Sequence, residues 1–485
     1  MRATSDLSAN DSASMRNLTR SQWLIIAGLT AGLVAGIKLA PQTLWSILVV
    51  AAATTFLSFS LWRLLLIVVS AKPLVSPVEP IVWPRYTVLA ALYDEAEVMP
   101  QLIERLSRID YPADQLQGML VVEADDLATI NAALEAPRPS WLEIYIAPPG
   151  TPRTKPRALN CALPYATGDL LVVYDAEDDP DPSQLKESAG RFAEDMTGRL
   201  ACLQAPLRIR RRYKARIASS FLDQQFAGEY AALFETVLPG MARLGLPFPL
   251  GGTSNHFRVD VLRRIGGWDS FNVTEDADLG FRLWRRGWRL GVISRPTWET
   301  PPGGMRAWLP QRTRWLKGYM QTWLTHTRRP QELGFRGVFA LCVTLGIGLA
   351  SAALQGPSMS WLTTTIAVSI AAGMPPHVPL LALWVLSVGT ACAWLSCVIG
   401  ARRAGVSYTA KDMLAAPFYW SLLSLAFVHA VWRLIVKPYA WDKTAHEPDL
   451  PTLIEHDAVA ESSGLDEALP VRLSASHVAA PEPVT

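Results

Sequence analysis

Apolar residues fall along this chain in two rhythms. Long apolar stretches occupy residues 22–40 and 45–70 near the start, and 337–355, 358–374, 379–400 and 412–436 toward the end. Each is near the length of about 20 apolar residues that a bilayer core demands of a helix. The pattern predicts two membrane helices within residues 21–70 and three to four within 337–436. Between these blocks the rhythm shortens. Apolar runs at 87–92, 119–123, 142–146 and 170–174 alternate with amphipathic segments at 95–106, 125–134 and 156–165. Strands alternating with helices at this pitch predict a parallel sheet covered on both faces. Such a sheet binds ligands beyond the carboxyl ends of its strands. A soluble domain is therefore expected over residues 80–300, inserted between the membrane segments.

Residues 301–332 follow a third pattern. Arg306, Arg312, Arg314 and Lys317 are interleaved with Trp308, Trp315 and Trp323, a composition suited to a helix lying in the membrane interface. Residues 1–20 and the acidic tail 443–485 are polar and are expected to be disordered. Arg2, Arg16 and Arg20 before the first span, with Lys72 and Arg85 after the second, put both flanks on the cytosolic side. A signal peptide competes for the charged start. The longer apolar stretch that follows, without a convincing cleavage site, favours a retained hairpin. At the other end, four spans return the tail to the cytosol but leave Arg402, Arg403 and Lys411 outside; three keep that loop inside and export the tail. Hydrophobic length favours four, and the positive-inside tendency favours three.

Charge and cysteine content narrow the function classes. A net charge of +2 lacks the basic excess of a nucleic-acid binder. Of the five cysteines, none forms a C-x-x-C pair, and Cys342, Cys392 and Cys397 lie in apolar stretches, so they read as small buried hydrophobes.

Candidate chemistry clusters after the predicted strands. Asp175, Glu177 and Asp178 follow residues 170–174, and packed carboxylates repel unless a hard divalent cation relieves them and clamps a diphosphate. An exposed acidic turn before Pro180 and Pro182 would account for them equally well. Glu123, Asp125 and Asp126 follow the second strand. In the segment Thr274-Glu275-Asp276-Ala277-Asp278, Thr274 could cap a helix whose dipole favours the acids; alternatively, one carboxylate could deprotonate an acceptor hydroxyl. The loop Gly251-Gly252-Thr253-Ser254-Asn255-His256 allows close approach of a ligand to the backbone, and His256 reads first as a structural hydrogen-bonder. Arg153, Lys155 and Arg157 form a basic cluster suited to phosphate oxygens. The run 208–216 reads as a solvated or membrane-proximal face. Gln311-Arg312-Thr313-Arg314-Trp315 alone reads as an aromatic belt with snorkelling arginines.

Taken in order, residues 89–95, Asp125, Asp175-Ala176-Glu177, Thr274-Glu275-Asp276 and Gln311-x-x-Arg314-Trp315 make the chain resemble the family 2 glycosyltransferases, in their membrane-integrated, cellulose-synthase-like branch. The resemblance covers about residues 84–330. It implies an α/β GT-A (Rossmann-like) catalytic domain flanked by transmembrane α-helices. It also implies a nucleotide-diphospho-sugar donor, commonly UDP-linked, with Mg2+ or Mn2+, and an inverting, single-displacement transfer. By position, Asp276 would be the general base, and Asp175 and Glu177 would hold metal and diphosphate. Tyr93, Glu95 and Asp125 would meet the nucleotide, with Glu123 sharing the acidic site and Lys155 the phosphates. Glu275, Gln311, Arg314 and Trp315 would line the acceptor side, with Trp308 and Trp323 near it in sequence. Glu177 stands where the second Asp of a D-x-D motif is usual, and the usual paired Asp after the second strand is spread over Glu123, Asp125 and Asp126. The expected partners are a UDP-sugar, a glycan or lipid-linked acceptor and membrane lipids, with no nucleic acid; export would bring in proteins on the periplasmic side. The expected place is a bacterial-type inner membrane, multi-pass, with the catalytic domain cytosolic. A growing β-glycan is the first acceptor reading. A lipid-linked acceptor receiving a single sugar is the second, and a non-catalytic membrane receptor or assembly component the third.

Overall fold

The computed structural model describes residues 7–15, 18–210, 217–376 and 378–440; the acidic tail and residues 211–216 of the basic run lie outside them. Two apolar helices, α1 (Arg20–Leu39) and α2 (Pro41–Val69), lead into an α/β domain. Its first half alternates β1 (Tyr86–Leu92), α3 (Met99–Ser107), β2 (Leu116–Glu123), α4 (Leu127–Glu135), β3 (Leu142–Ala147), α5 (Lys155–Ala162) and β4 (Leu170–Tyr174). These strands pair in parallel in the order β3-β2-β1-β4. β4 is buried along its whole length, as a strand covered on both faces must be.

The second half departs from the all-parallel expectation. β5 (Asp179–Pro180), α6 (Gln184–Ala193), β6 (Leu200–Gln204) and β7 (Leu207–Ile209) precede α7 (Ile217–Ala232), a π-turn at Leu233–Val237 and α8 (Leu238–Arg243). β8 (Asn255–Arg258) then enters the main sheet antiparallel to both β4 and β6, so the sheet is mixed. β8 follows directly on the Gly251-Gly252 loop. After α9 (Val259–Arg264) and α10 (Glu275–Arg285), β9 (Arg289–Val292) closes the edge, and β10 (Thr297–Glu299) joins β5 and β7 in a small second sheet.

α11 (Met305–His326) is more enclosed than an interfacial helix would be. It buries Trp308, Arg312, Leu316, Lys317 and Gln321 between the catalytic domain and the last helix. Gly318 lets it approach α10, because a Cβ there would collide with Thr274. α12 (Pro330–Leu341) then runs through a π-turn at Cys342–Gly346 into α13 (Ile347–Ala371). The stretches 337–355 and 358–374 therefore belong to one continuous helix, and the four-span count falls to three long helices. Pro357 lies inside α13, a position where membrane helices tolerate proline. α14 (Leu380–Ala404) and α15 (Ala410–Val436) complete the described chain. Among the described residues, five helices are long and apolar enough to cross a membrane.

Both ends of α15 are tied to neighbouring helices. Gln225 on α7 donates to the Asp412 carbonyl at 2.7 Å. At the other end, Lys317 donates to the Ala440 carbonyl at 2.8 Å and Gln321 to the Pro438 carbonyl at 3.1 Å. Residues 7–15 are ordered where disorder was expected, while Arg2 and Arg16 lie outside the described residues. Ser12 Oγ and the Ala13 N–H donate to the buried Asp269 carboxylate at 2.9 and 2.6 Å. Arg328 donates to the carbonyls of Ser12 and Met15 at 2.8 and 2.6 Å. Polar composition signals disorder only where no partner satisfies the polar groups, and here buried acid and guanidinium groups do so.

Candidate active site

A cavity of about 210 Å³ opens at the carboxyl ends of β1, β2 and β4. It gathers Tyr93, Glu95, Glu123, Lys155, Asp175 and Glu177 from the first half of the domain, and Glu275, Asp276, Gln311, Arg314 and Trp315 from the second. Asp125, expected at the nucleotide, does not line it. Asp125 is half-exposed and ion-paired with Arg153, whose guanidinium also donates to the Tyr93 hydroxyl at 2.8 Å. Asp126 caps α4 through the Thr129 N–H at 3.2 Å. Glu123 is buried against Arg157 in an ion pair. The three acids after β2 thus have three different environments, which spacing alone does not reveal.

Lys155, at the start of α5, bonds both Asp175 and the Gly252 carbonyl, the latter at 2.7 Å. Burial opposes its charge, yet Asp175 and Glu275 hold its pKa above the ordinary value. Beneath this end of the cavity, Asp178 accepts from the Asp175 N–H at 2.7 Å and from Thr253. Its Oδ1 is buried without a hydrogen-bond partner. Burial, then Asp175 and Glu177, push its carboxyl well above the usual range. Glu299 from β10 reaches the same end, and burial with Asp178, Glu177 and Asp175 raises it as well. Sequence reasoning missed Glu299, which stands in a three-residue strand with no distinctive pattern around it. Among the described residues, no three acidic, His or Cys side chains converge as a closed metal cage. Asp175 and Glu177 instead offer two carboxylates to a hard cation that takes its remaining oxygens from a substrate's phosphates.

Opposite lies α10. Burial raises Asp276 to about 6 against the pull of the Ala277 N–H, Lys155 and Arg314. Burial and Asp276 raise Glu275. A Cβ at Gly252 would sit 3.4 Å from Asp276 Oδ2 and 3.9 Å from Asp175 Oδ2, so this glycine keeps the space between the two carboxylates clear. Thr274 starts α10 without a side-chain capping bond, leaving the helix-cap explanation of this segment incomplete. His256 is structural, as read: it is fully buried, 2.6 Å from the Tyr86 hydroxyl and 3.1 Å from Gln184 Oε1, and burial lowers it to about 3.

The remaining wall comes from α11 and α7. Trp315 lies beside Phe226 and Tyr230, with ring centroids 5.9 and 6.0 Å apart, and Arg312 stands 4.6 Å over its ring. Arg312 Nη1 donates to Glu229 Oε1 at 3.0 Å, and Tyr419 on α15 donates to Glu229 Oε2 at 2.7 Å. Gln311 Oε1 is buried without a partner. Trp308 and Trp323 do not line the cavity: Trp308 is wholly buried against Tyr419, and Trp323 packs toward Gly346. Glu229 and Arg312 went unassigned in the sequence because their pairing spans 83 residues.

The sequence model of Glycosyl transferase family group 2 matches residues 170–436, more than half of the chain. Relatives include a beta-monoglucosyldiacylglycerol synthase of Synechocystis, 26% identical over 294 residues, covering 59% of this chain and 58% of that protein. The catalytic subunit of the UDP-forming cellulose synthase 1 of Komagataeibacter xylinus is 25% identical over 262 residues, covering 51% of this chain and 32% of its own. The probable glycosyltransferase YdaM of Bacillus subtilis is 24% identical, covering 48% and 55%. The chain spans about half the length of the first curated relatives it matches. A solved mannosyltransferase of Pyrobaculum calidifontis, in complex with GDP-Man and Mn2+, aligns over 80% of this chain and 97% of its own at TM-score 0.49 and 19% identity. The chain belongs to Glycosyl transferase family group 2, with a mixed α/β domain flanked by apolar helices.

Proposed function

We propose that the protein transfers a sugar from a nucleotide-diphospho-sugar, with UDP as the nucleotide, to an acceptor held at the membrane face of the catalytic domain. The observation that carries this reading is that one cavity holds both a carboxylate-rich end and a separate raised carboxylate, kept apart by Gly252. Tyr93, Glu95 and the Arg153–Asp125 pair suit the nucleotide. Asp175 and Glu177 would hold Mg2+ or Mn2+, which neutralises diphosphate charge when bound. Lys155 is poised at the same oxygens. Asp276 takes the proton of the acceptor hydroxyl as that oxygen attacks the anomeric carbon; the sugar–phosphate bond breaks on the opposite face, and the nucleoside diphosphate leaves with the bonding pair. That course inverts the anomeric configuration. Gln311, Arg314 and Trp315 orient the acceptor, Trp315 by packing on the apolar face of a sugar or lipid head group.

The location follows from charge and from α15. With the domain on the cytosolic side of an inner membrane, α1, α2, the α12–α13 helix and α14 cross, while α15 lies along α11. Four crossings return the chain to the side of the domain, and Arg402, Arg403 and Lys411 stay there too, as the positive-inside tendency asks. The purified full-length chain, supplied with a panel of radiolabelled UDP-sugars and membrane lipids, should label product with one donor, and excess EDTA should abolish it. Labelling at full rate in EDTA would remove the cation and leave Lys155 as the neutralising group.

A further inference from the structure

Buried tyrosines in this molecule spend their hydroxyls on protein. Tyr86 donates to Ser188 at 3.0 Å, Tyr111 to the Pro84 carbonyl at 2.6 Å, Tyr174 to Gln184 at 2.8 Å and Tyr419 to Glu229 at 2.7 Å. Two tyrosines break this pattern, and both line the cavity: Tyr230 on α7 and Tyr319 on α11. Tyr230 is only 8% exposed. Among the described residues, neither its hydroxyl nor that of Tyr319 has a hydrogen-bond partner. A third group is in the same state, since Gln311 Oε1 is buried without a partner in the wall of the same cavity. Buried polar groups left unpaired are costly, and each one calls for an explanation.

The three groups flank Trp315. Gln311 precedes it in α11 by four residues and Tyr319 follows it by four, a spacing that puts side chains on one helix face. Tyr230 approaches from α7, with its ring centroid 6.0 Å from that of Trp315. Gly318 sets α11 tightly against the start of α10: a Cβ there would stand 2.3 Å from Thr274 Oγ1, two residues before Asp276. Burial raises both phenols above their ordinary value, so both stay protonated and can donate, while Gln311 Oε1 can accept. The ring row Phe226, Tyr230 and Phe234 on α7 carries a hydroxyl at its middle position alone, where a phenylalanine would pack as well.

We infer that Tyr230, Tyr319 and Gln311 bind acceptor hydroxyls beside the one that attacks, so that the acceptor presents a polyol, either a sugar ring or a glycerol head, and not a lone alcohol. This inference rests on the reading proposed above and names the chemistry of its acceptor. A lone alcohol would give its one hydroxyl to Asp276 and leave two phenols and the Gln311 oxygen unmet. A site with hydroxyl partners in waiting rejects an analogue that lacks those hydroxyls, because its own buried polar groups then stay unpaired. Tyr230 and Tyr319 act here by holding and orienting the acceptor; the proton still goes to Asp276.

The test supplies the full-length protein with radiolabelled UDP-sugars, Mn2+ and each of four acceptors: octyl β-glucoside, monoacylglycerol, diacylglycerol and octanol. Transfer to octyl β-glucoside or to monoacylglycerol is expected, and the one used tells a sugar ring from a glycerol head. Diacylglycerol and octanol, with a single hydroxyl each, should be poorer by roughly a hundredfold or more in kcat/KM. In Tyr230→Phe and in Tyr319→Phe the KM for the polyol should rise about fivefold, the worth of one neutral hydrogen bond, and its lead over the single-hydroxyl acceptors should shrink by the same factor. Neither change removes a bond within the protein, so both variants should melt with the wild type; a lowered midpoint would mean that the hydroxyl is spent internally and would overturn the inference. Binding of UDP with Mn2+ is measured in parallel. An unchanged KM in the double variant, or equal use of single-hydroxyl acceptors, would overturn it while the donor reading stands. So would transfer to none of the four by a protein that binds UDP and Mn2+. Failure of the wild type to bind UDP with Mn2+ would instead remove the reading on which it rests.

Discussion

The two ends of the cavity are built in different ways. The end proposed to hold the donor is assembled from adjacent strand termini: β1, β2 and β4 pair in parallel, and each delivers its polar residues within a few positions of the strand. The acceptor end is assembled from helices far apart in sequence, with Glu229 on α7, Arg312 and Trp315 on α11, and Tyr419 on α15 held by one buried ion pair and four rings. A sheet fixes positions through a continuous hydrogen-bond ladder. Packed helices fix them through side chains, so the acceptor end should yield to single substitutions that leave the donor end intact.

The largest expected effect is at the boundary between the two. Asp276→Asn should lower turnover by ~10²–10⁴, the usual contribution of a general base, while UDP binding measured by calorimetry stays near wild type. Turnover close to normal would move the base elsewhere, with Glu275 the next candidate. Arg312→Met should come next. It leaves the Glu229 carboxylate without its guanidinium, and breaking a buried ion pair costs roughly 3–5 kcal/mol; the partial exposure of Glu229 places the loss near the lower figure. Thermal denaturation should show that loss, and product formation should fall while UDP affinity holds. Loss of UDP affinity to the same degree would mean that the two ends do not behave separately.

The pH profile sharpens the same division. Burial raises Asp276 to about 6. A base must be ionised to act, so the rate should fall as pH drops through that region, by about tenfold per unit once well below it. In Asp276→Asn, the residual rate should lack this acidic limb. The smallest expected effect concerns the N-terminal segment. Ser12→Ala removes one bond to the buried Asp269 and should cost ~1 kcal/mol in stability, read by denaturant titration, with product unchanged.

Legibility in the sequence follows this division closely. The strand ends could be read because apolar runs of four to eight residues with acids directly after them put the chemistry within local reach: 170–174 became β4, and Asp175 and Glu177 line the cavity. The Thr274–Asp276 segment and Gln311, Arg314 and Trp315 could be read through resemblance, and the structure brings them into the same cavity. The partners of Trp315 could not, because Glu229 and Tyr419 carry no local signal and meet Arg312 across 83 residues and more. The ties of α15 also escaped, since it has the composition of a span yet is bonded to α7 at one end and α11 at the other.

By itself, then, the sequence determined the apolar blocks, the alternation of strands and helices in the first half of the domain, and the acids at its strand ends. Periodicity and local spacing encode these, and they depend only on which residues are neighbours along the chain. Tertiary structure alone decided that β8 runs antiparallel, that residues 9–15 dock on Asp269, and that Asp125 lies outside the cavity while Glu299 lies within it. Each of these depends on which distant groups share a low-dielectric space. Burial then sets the cost of an unpaired charge, and so decides which carboxylates hold protons and which cations still need a partner.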